Sequence, residues 1–364
     1  MAQTMIYPPD LLGDLTPMME KVPYKPSLLT DMGIFKPKFT SSININIDVT
    51  EQGLVVLPEG HWGHGGVEQT APTAKMVQLR LEEIVLKDSM SPEDLQDRRR
   101  PGSTGPSTVS LKMAEKMANM KGKFDLTIEY MQMTALKGVL MGGSGRTLYD
   151  YYDKFGVSQK KLDFALGDVT FDINGAIRGL KDYILKNHNA PGVVTGYTVL
   201  CSSSFFDKLV EHPKVVRAYE NYSSTQEPLR NDVSAGFVHQ GVKFIVYDAT
   251  AKLMDGSTAT FIAADKAYAF PNGLDLFETW YGPEYSLAGV NSIGSQFYLR
   301  TKPMDYDQGI AMKGSTVPLP VCKRPEAVVE LTATVAEETE GTGTEGTGGE
   351  GTGGEGTGGE GGEP

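Results

Sequence analysis

The longest regular pattern of apolar residues in the chain lies between residues 107 and 142 and has the period of an α-helix. Its apolar positions recur three or four residues apart: Val109, Met113, Met117, Met120, Phe124, Ile128, Met131, Ala135 and Val139. This spacing predicts one helix over residues 108–141, about 50 Å long at a rise of ~1.5 Å per residue. Ser107 or Thr108 is expected to cap its start and Gly142 to end it, while Gly122 marks a candidate kink. The pattern alone leaves open a strut or the core helix of an ordinary two-layer domain.

Two strands are predicted before this helix by strict alternation of apolar and polar residues. One carries Ile43, Ile45, Ile47 and Val49, and the other carries Val77, Leu79 and Leu81. A short apolar run at 54–57 and a long Gly-, Pro- and Thr-rich connection at 58–75 separate them, and a connection of this length usually has a function. His61, His64, Glu59 and Glu68 lie in it, but no third histidine accompanies them, so we expect no metal site.

Residues 1–40 are predicted to form an extended arm. Six prolines interrupt any long element there, at positions 8, 9, 17, 23, 26 and 37, yet apolar residues are too frequent for a solvated tail. Such a segment needs a surface to lie on. That surface is either its own domain or a neighbouring subunit.

The pattern after residue 145 predicts a mixed α/β domain. Apolar residues at Ile173, Ile177, Leu180 and Ile184 predict a helix that ends near His188. A buried strand is expected at 193–201, then a helix capped by Ser202 or Ser203 that restarts at Pro213, and a hairpin around Gly241. Further strands are expected at 259–264, 296–301 and 309–320.

Composition changes this picture mainly at the C-terminus. From Glu345 the five-residue unit Glu-Gly-Thr-Gly-Gly repeats, which predicts a flexible, extended tail. Eight glutamates and no Lys or Arg follow Ala336, so the rest of the chain carries only −4 of the net charge of −12. The one dense basic run, residues 98–100, adjoins Glu93, Asp94 and Asp97. An electrostatic nucleic-acid binder is therefore not expected, and the absence of an 18-residue apolar run predicts no membrane span.

The candidate chemistry is sparse. Cys201 and Cys322 have no metal or redox spacing, which weakly favours a reducing compartment, and His188, His212 and His239 stand singly, as structural residues usually do. The glycine cluster at 142–145 follows a helix, whereas a phosphate-binding loop precedes one. We therefore predict no catalytic, cofactor-binding or metal-binding residues.

Five sequence segments, and their order along the chain, resemble those of a known family. They are SPEDLQDRRR (91–100), FDLTIEYMQMTALKGVL (124–140), SFFDKLVEHPKVVRAYENY (204–222), FVHQGVKFIVYD (237–248) and YLRTKPMD (298–305). Together with the apolar arm, the long loop and the long helix, they are similar to the lambda-like major capsid protein E family of tailed bacteriophages, which has the Hong Kong 97-type fold. The resemblance covers roughly residues 28–335 and leaves out the tail.

The resemblance implies an α+β fold with a fixed division of the chain. The expected parts are an N-terminal arm (1–40), an extended β-loop region called the E-loop (41–106), a peripheral domain with the spine helix (107–190), an axial domain (191–295), return strands of the peripheral domain (296–335) and a disordered tail (336–364). In this family the arm and the E-loop reach across neighbouring subunits.

The resemblance also implies a structural function without an enzymatic activity or a cofactor. The expected partners are copies of the same chain in pentamers and hexamers, separate scaffold, portal and decoration proteins, and double-stranded DNA held without sequence-specific contacts. The expected location is the virion, after assembly in the host cytoplasm. The competing hypotheses are a tail-tube or adhesin subunit, which would be mostly β, and an enzyme of unknown chemistry, which would need a convergent polar pocket.

Overall fold

The structure, a computed structural model, describes residues 26–50, 74–96, 109–222 and 237–334. Its α-helices are α1 (Leu28–Asp31), α2 (Val109–Leu136), α3 (Tyr151–Phe155), α4 (Ile173–Asn187), α5 (Ser203–Glu211) and α6 (Pro213–Tyr222). Single 3-10 turns lie at Pro92–Asp94, Leu287–Gly289, Asp305–Asp307 and Pro325–Ala327.

The strands form several small sheets and one larger sheet. In chain order they are β1 (Lys36–Phe39), β2 (Asn44–Thr50), β3 (Ala74–Arg80), β4 (Ile84–Met90), β5 (Val139–Met141), β6 (Thr147–Asp150), β7 (Lys160–Asp163), β8 (Gly196–Cys201), β9 (Phe237–His239), β10 (Val242–Val246), β11 (Thr250–Lys252), β12 (Thr258–Thr260), β13 (Lys266–Asn272), β14 (Phe277–Tyr281), β15 (Tyr298–Pro303), β16 (Ile310–Thr316), β17 (Pro318–Cys322) and β18 (Val329–Thr332).

The larger sheet has the strand order β7-β18-β13-β8-β10-β9 and is covered on both faces. Val199 and Cys201 of β8 pack with helices α4, α5 and α6, while Leu200 between them packs into the main core on the other side. Because both faces are covered, every residue of β8 from Thr198 to Cys201 is buried and the strand shows no buried–exposed alternation there.

Helix α2 ends earlier than its apolar period predicts. It stops at Leu136, and Gly138, with φ of +88°, turns the chain into β5, which pairs with β6. A side chain at Gly138 would come within 2.1 Å of the Tyr152 ring, so this glycine makes the close turn. The predicted end at Gly142 is wrong, because Val139 continues the apolar spacing as a strand residue. Gly122 lies inside the unbroken helix.

The apolar stripe of α2 is buried in stages. Met120 and Phe124 pack with Met90 and Met312 of the sheet β15-β16-β4, and from Ile128 to Leu136 every residue of the helix is buried. Val109 at the start is 48% exposed. The stripe is therefore core over its second half, where the sheet β1-β14-β17 and the six-stranded sheet surround it.

Most other elements agree with the sequence patterns. Strands β2 and β3, the helix with four buried isoleucine and leucine positions, the Ser202 cap and the hairpin at Gly241 are confirmed. The strand predicted at 309–320 is two strands, β16 and β17, which belong to different sheets. Strand β13, inside the larger sheet, lacks alternation because it is covered on both faces, and it was not predicted. Strand β14, which belongs to the sheet β1-β14-β17, was not predicted either.

Several predictions fall outside the described residues. These are the first 25 residues of the arm, the run at 54–57, the histidines and glutamates of the long connection, the basic run at 98–100, the cap at Ser107 or Thr108 and the tail from residue 336.

Candidate assembly surfaces

The described part of the arm lies on the body of its own chain. Leu29 and Phe35 are buried in the main core, with the Phe35 ring 5.2 Å from that of Phe277. Strand β1 pairs in parallel with β14, from Lys36 opposite Glu278 to Phe39 opposite Tyr281. Of the two surfaces left open for the arm, its own domain is the one that residues 26–40 use.

A buried carboxylate of helix α2 holds this part of the arm in place. Glu129 is 1% exposed, and its Oε1 accepts hydrogen bonds from the Leu29 backbone N–H at 2.6 Å and from the Tyr247 hydroxyl at 2.8 Å. Its Oε2 accepts from the Thr30 hydroxyl at 2.6 Å and from the Thr30 N–H at 3.2 Å.

The two backbone donors are first-turn amides of α1, which have no partner within the helix. Ser27, at the N-cap position, does not accept from them; its hydroxyl donates to Asp31. Glu129 therefore caps α1 from a position one hundred residues away in the sequence.

Strands β2 and β3 form a two-stranded ribbon, which packs on the core through one side and exposes other apolar residues. Ile45, Val77 and Leu79 lie in the core, whereas Ile43 and Met76 are exposed. The Tyr149 hydroxyl bonds both the N–H and the C=O of Arg80 and so ties the base of the ribbon to β6. An isolated two-stranded ribbon is marginally stable, so its exposed apolar side chains form a candidate contact surface.

A second candidate contact surface is the loop at 285–293, which we call the apolar loop. Tyr285, Leu287, Val290 and Ile293 are 86%, 96%, 66% and 73% exposed. Four large apolar side chains so close together in one exposed loop are unusual on a monomeric protein and typical of an interaction site.

The backbone of the apolar loop is braced from inside. Glu284, which is buried, accepts hydrogen bonds from the guanidinium of Arg300 and, at 3.0 Å, from the Ser286 hydroxyl. The Arg300 contact lowers the pKa of the Glu284 carboxyl, so the acid stays ionised. At the other end, the Gly294 N–H donates to the Thr40 carbonyl, and a side chain at Gly294 would come within 2.1 Å of the Tyr281 carbonyl. The loop thus presents apolar side chains from a fixed backbone.

The described histidines and cysteines lie apart from one another, and each makes local structural contacts. His212 Nε2 is 3.0 Å from the Asp168 carbonyl, and His239 Nε2 is 2.9 Å from Asn174 Oδ1. The Cys201 thiol donates to the Ile245 carbonyl, and burial raises its pKa to about 12. The structure does not bring these groups together, and within the described ranges no three or more His, Cys, Asp or Glu side chains are grouped to hold a metal ion.

The comparison with known families decides between the remaining hypotheses. The family model for phage major capsid protein E matches residues 12–333, which is most of the chain. The chain belongs to this family.

Individual capsid proteins are similar over comparable lengths. The major capsid protein of Salmonella phage Felix O1 is 27% identical over 356 residues, covering 88% of this chain and 96% of its own. That of Pseudomonas phage KPP10 is 25% identical over 303 residues, covering 78% and 86%. Among solved structures, a protein assigned as a prophage capsid protein of E. coli CFT073 aligns with a TM-score of 0.52 at 15% identity, covering 85% of this chain and 94% of that one.

Membership of the capsid family gives the chain its function, that of a phage major capsid protein, and the Hong Kong 97-type α+β fold expected from the resemblance is confirmed. This family assignment replaces the hypotheses of a tail-tube subunit and of an adhesin subunit. None of the helices in the described segments has the length and apolar character that crossing a membrane requires.

Sequence reasoning missed both features that define the surfaces. Glu129 is the only charged residue in the buried stretch 128–136, and an isolated acid in an apolar run is a usable signal of a buried hydrogen-bonded group. The apolar loop has no helix or strand period, so its four apolar residues gave no pattern to interpret.

Proposed function

We propose that this chain assembles with copies of itself, as pentamers and hexamers, into the icosahedral shell that encloses the double-stranded DNA genome of a tailed phage. The observation that carries the proposal is the match to the capsid family over residues 12–333. The exposed and internally braced apolar loop supports it, because a subunit that closes a shell needs apolar surface that its own fold leaves uncovered.

We also propose the domain division that the resemblance implies. The arm would be residues 1–40, the E-loop region 41–106, the peripheral domain 107–190 with 296–335, the axial domain 191–295 and the tail 336–364. One observation supports joining residues 107–190 with 296–335: Met120 and Phe124 of α2 pack with Met312 of β16. The apolar cluster that α4 shares with α5 and α6 crosses the proposed boundary at residue 190.

The proposed role is structural, with no catalytic step and no sequence-specific DNA contact. In support, the described His and Cys side chains are engaged in local packing, and the body of the chain has little net charge for phosphate binding. Scaffold, portal and decoration proteins would be separate chains, and assembly would take place in the host cytoplasm before the protein becomes part of the virion.

Electron microscopy of the concentrated full-length protein, with analytical ultracentrifugation of the same samples, tests the proposal. The wild-type chain is expected to form closed particles of uniform size. Leu287→Ser with Val290→Ser should remain folded by circular dichroism but shift the population to free subunits or capsomers. Met254→Ser removes an equally exposed apolar side chain, 92% exposed, from the β11–β12 turn and should still form shells.

A small closed oligomer in place of shells, under all salt and concentration conditions, would refute the proposed function. Normal shells from the double variant, with the same dissociation midpoint as wild type, would refute the role of the apolar loop alone.

A further inference from the structure

The free edge of β4 and the first half of α2 border a groove of about 360 Å³ that the function described above does not use. Its polar lining consists mainly of charged residues: Lys87, Asp88, Lys112, Glu115, Lys116 and Lys123. Leu86 and Met120 complete an apolar floor. The groove therefore combines a strand edge, an apolar base and a row of lysines.

The edge of β4 is unpaired within the described segments of the chain. There, β4 is the last strand of its sheet and pairs with β16. The Ser89 carbonyl accepts from Lys116 Nζ at 2.5 Å and the Ser89 N–H donates to Asp88 Oδ1 at 2.7 Å, so both groups point away from β16. Because this direction alternates along an antiparallel strand, the backbone groups of Lys87 and Val85 point the same way. No residue in the described part of the chain bonds them.

The lysines of the groove exceed its acids. Lys112 pairs with Glu115 at 2.9 Å, and Lys116 pairs with Asp94 at 3.1 Å and Asp88 at 3.6 Å. Lys87 and Lys123 have no carboxylate partner among the described residues. Lys123 on the α2 side, and Lys87 on the opposite face of β4, thus remain available beside the strand edge.

We propose that this groove binds an extended acidic peptide segment of a partner protein. The segment would add as a strand along the Val85–Lys87 edge and place its carboxylates on the α2 side, against Lys123. Main-chain hydrogen bonds to a strand edge supply affinity in such complexes, and side chains supply selectivity. Nucleic acid fits less well, because a phosphate backbone cannot pair with the strand edge.

Fluorescence anisotropy on the full-length, unassembled subunit tests the proposal with a labelled, capped octapeptide of alternating Glu and Val. Two control peptides have the same length: one carries Lys in place of Glu, and one has N-methyl groups on alternate residues so that it cannot pair along one edge. We expect each control to bind at least about tenfold more weakly, and added salt to weaken the parent peptide.

Protein variants separate charge from backbone pairing. Lys87→Thr removes the charge and keeps the N–H, whereas Lys87→Pro removes both, at a position whose N–H lies outside the ladder to β16. We expect the proline variant to bind at least about tenfold more weakly than the threonine variant. Lys123→Glu should weaken binding, and Lys243→Glu, an exposed residue on β10, should not.

Three results would overturn the proposal. The N-methylated peptide could bind as tightly as the parent, or a single-stranded DNA octamer could displace the parent peptide at equal concentration. Alternatively, removal of residues 337–364 could raise the affinity for the peptide tenfold, which would make the chain's own acidic tail the occupant.

Discussion

Replacing Glu129 by glutamine should release the first turn of the arm while leaving the rest of the molecule folded. Four donors converge on the carboxylate, two on each oxygen; the contacts to Oε1 are buried, and the two from Thr30 to Oε2 are partly buried. A glutamine offers one acceptor oxygen and one NH₂ group. Either orientation of the amide places the NH₂ against a backbone N–H, that of Leu29 or that of Thr30.

The expected cost follows from this geometry. A buried donor left without a partner costs about 1–3 kcal/mol, and the bonds that remain lose the strength that an ionised acceptor gives. We expect about 2–3 kcal/mol for the docking of α1, which corresponds to an opening equilibrium raised about 30- to 150-fold. Tyr247→Phe should cost only about 1 kcal/mol, since it removes one donor and keeps the ring contact with Phe261.

Native-state hydrogen exchange reads this opening directly. The Met32 N–H bonds the Leu28 carbonyl and the Ile34 N–H bonds the Leu29 carbonyl, so both amides exchange when α1 opens. Their protection should fall in Glu129→Gln, while amides of the central strand β8 should keep theirs. Glu115→Gln, an exposed acid on the same helix, is the matched control and should change neither.

Unchanged protection of Met32 and Ile34 in Glu129→Gln would refute the reasoning, because it would mean that the four hydrogen bonds do not hold the arm. Equal loss of protection in α1 and β8 would also refute it, since the carboxylate would then stabilise the whole fold and not the docking of the arm.

The remaining predictions use other parts of the molecule. Ile128→Asp places an unpaired charge in the core and should cost several kcal/mol, seen as insoluble protein or a strongly lowered urea midpoint. Cys201 and Cys322 are fully buried, so a thiol reagent should label neither until the protein is unfolded. Removing residues 337–364 should leave shell closure unchanged, since the Gly- and Glu-rich sequence predicts an extended, solvated tail; loss of closed particles would contradict this. Burial alone raises the pKa of Glu278, but hydrogen bonds from Lys323 and Lys38 outweigh it and hold the pKa below its usual range. The ionised acid should therefore stabilise the fold above about pH 4.5, and this contribution should be lost as the pH falls. Glu278→Gln should not show this pH dependence.

The sequence predicts the helices and strands that bury one face and expose the other to solvent. Helix α4 shows its buried positions at helical spacing, and β2 and β3 alternate, because each has one side toward the core. Strand β13 lies between two covered faces and therefore has no alternation to detect. The end of α2 was misplaced because Val139 keeps the helical spacing by chance, and only the packing of the Tyr152 ring selects Gly138 for the turn.

The candidate surfaces were less predictable than the fold because they depend on contacts between distant segments. Glu129 and its donors are separated by about one hundred residues, and no local spacing joins them. The apolar loop depends on Arg300, which follows it in the chain, and on Thr40, which precedes it by more than two hundred residues. Family resemblance could supply the order of the parts but not these contacts.

The bracing of the apolar loop has a physical consequence for assembly. Association costs about 0.5–1.5 kcal/mol for each side chain that must be ordered at an interface, and a loop that must also fix its backbone costs more. In a shell every subunit repeats its contacts, so this cost recurs with each copy that is added. Burying the Glu284 carboxylate with Arg300 gains little stability by itself, since desolvation offsets much of the attraction. Its effect is to fix the backbone of the apolar loop before a neighbouring subunit binds. A loop that is already ordered favours shell closure by many weak contacts between subunits over closure by a few strong contacts.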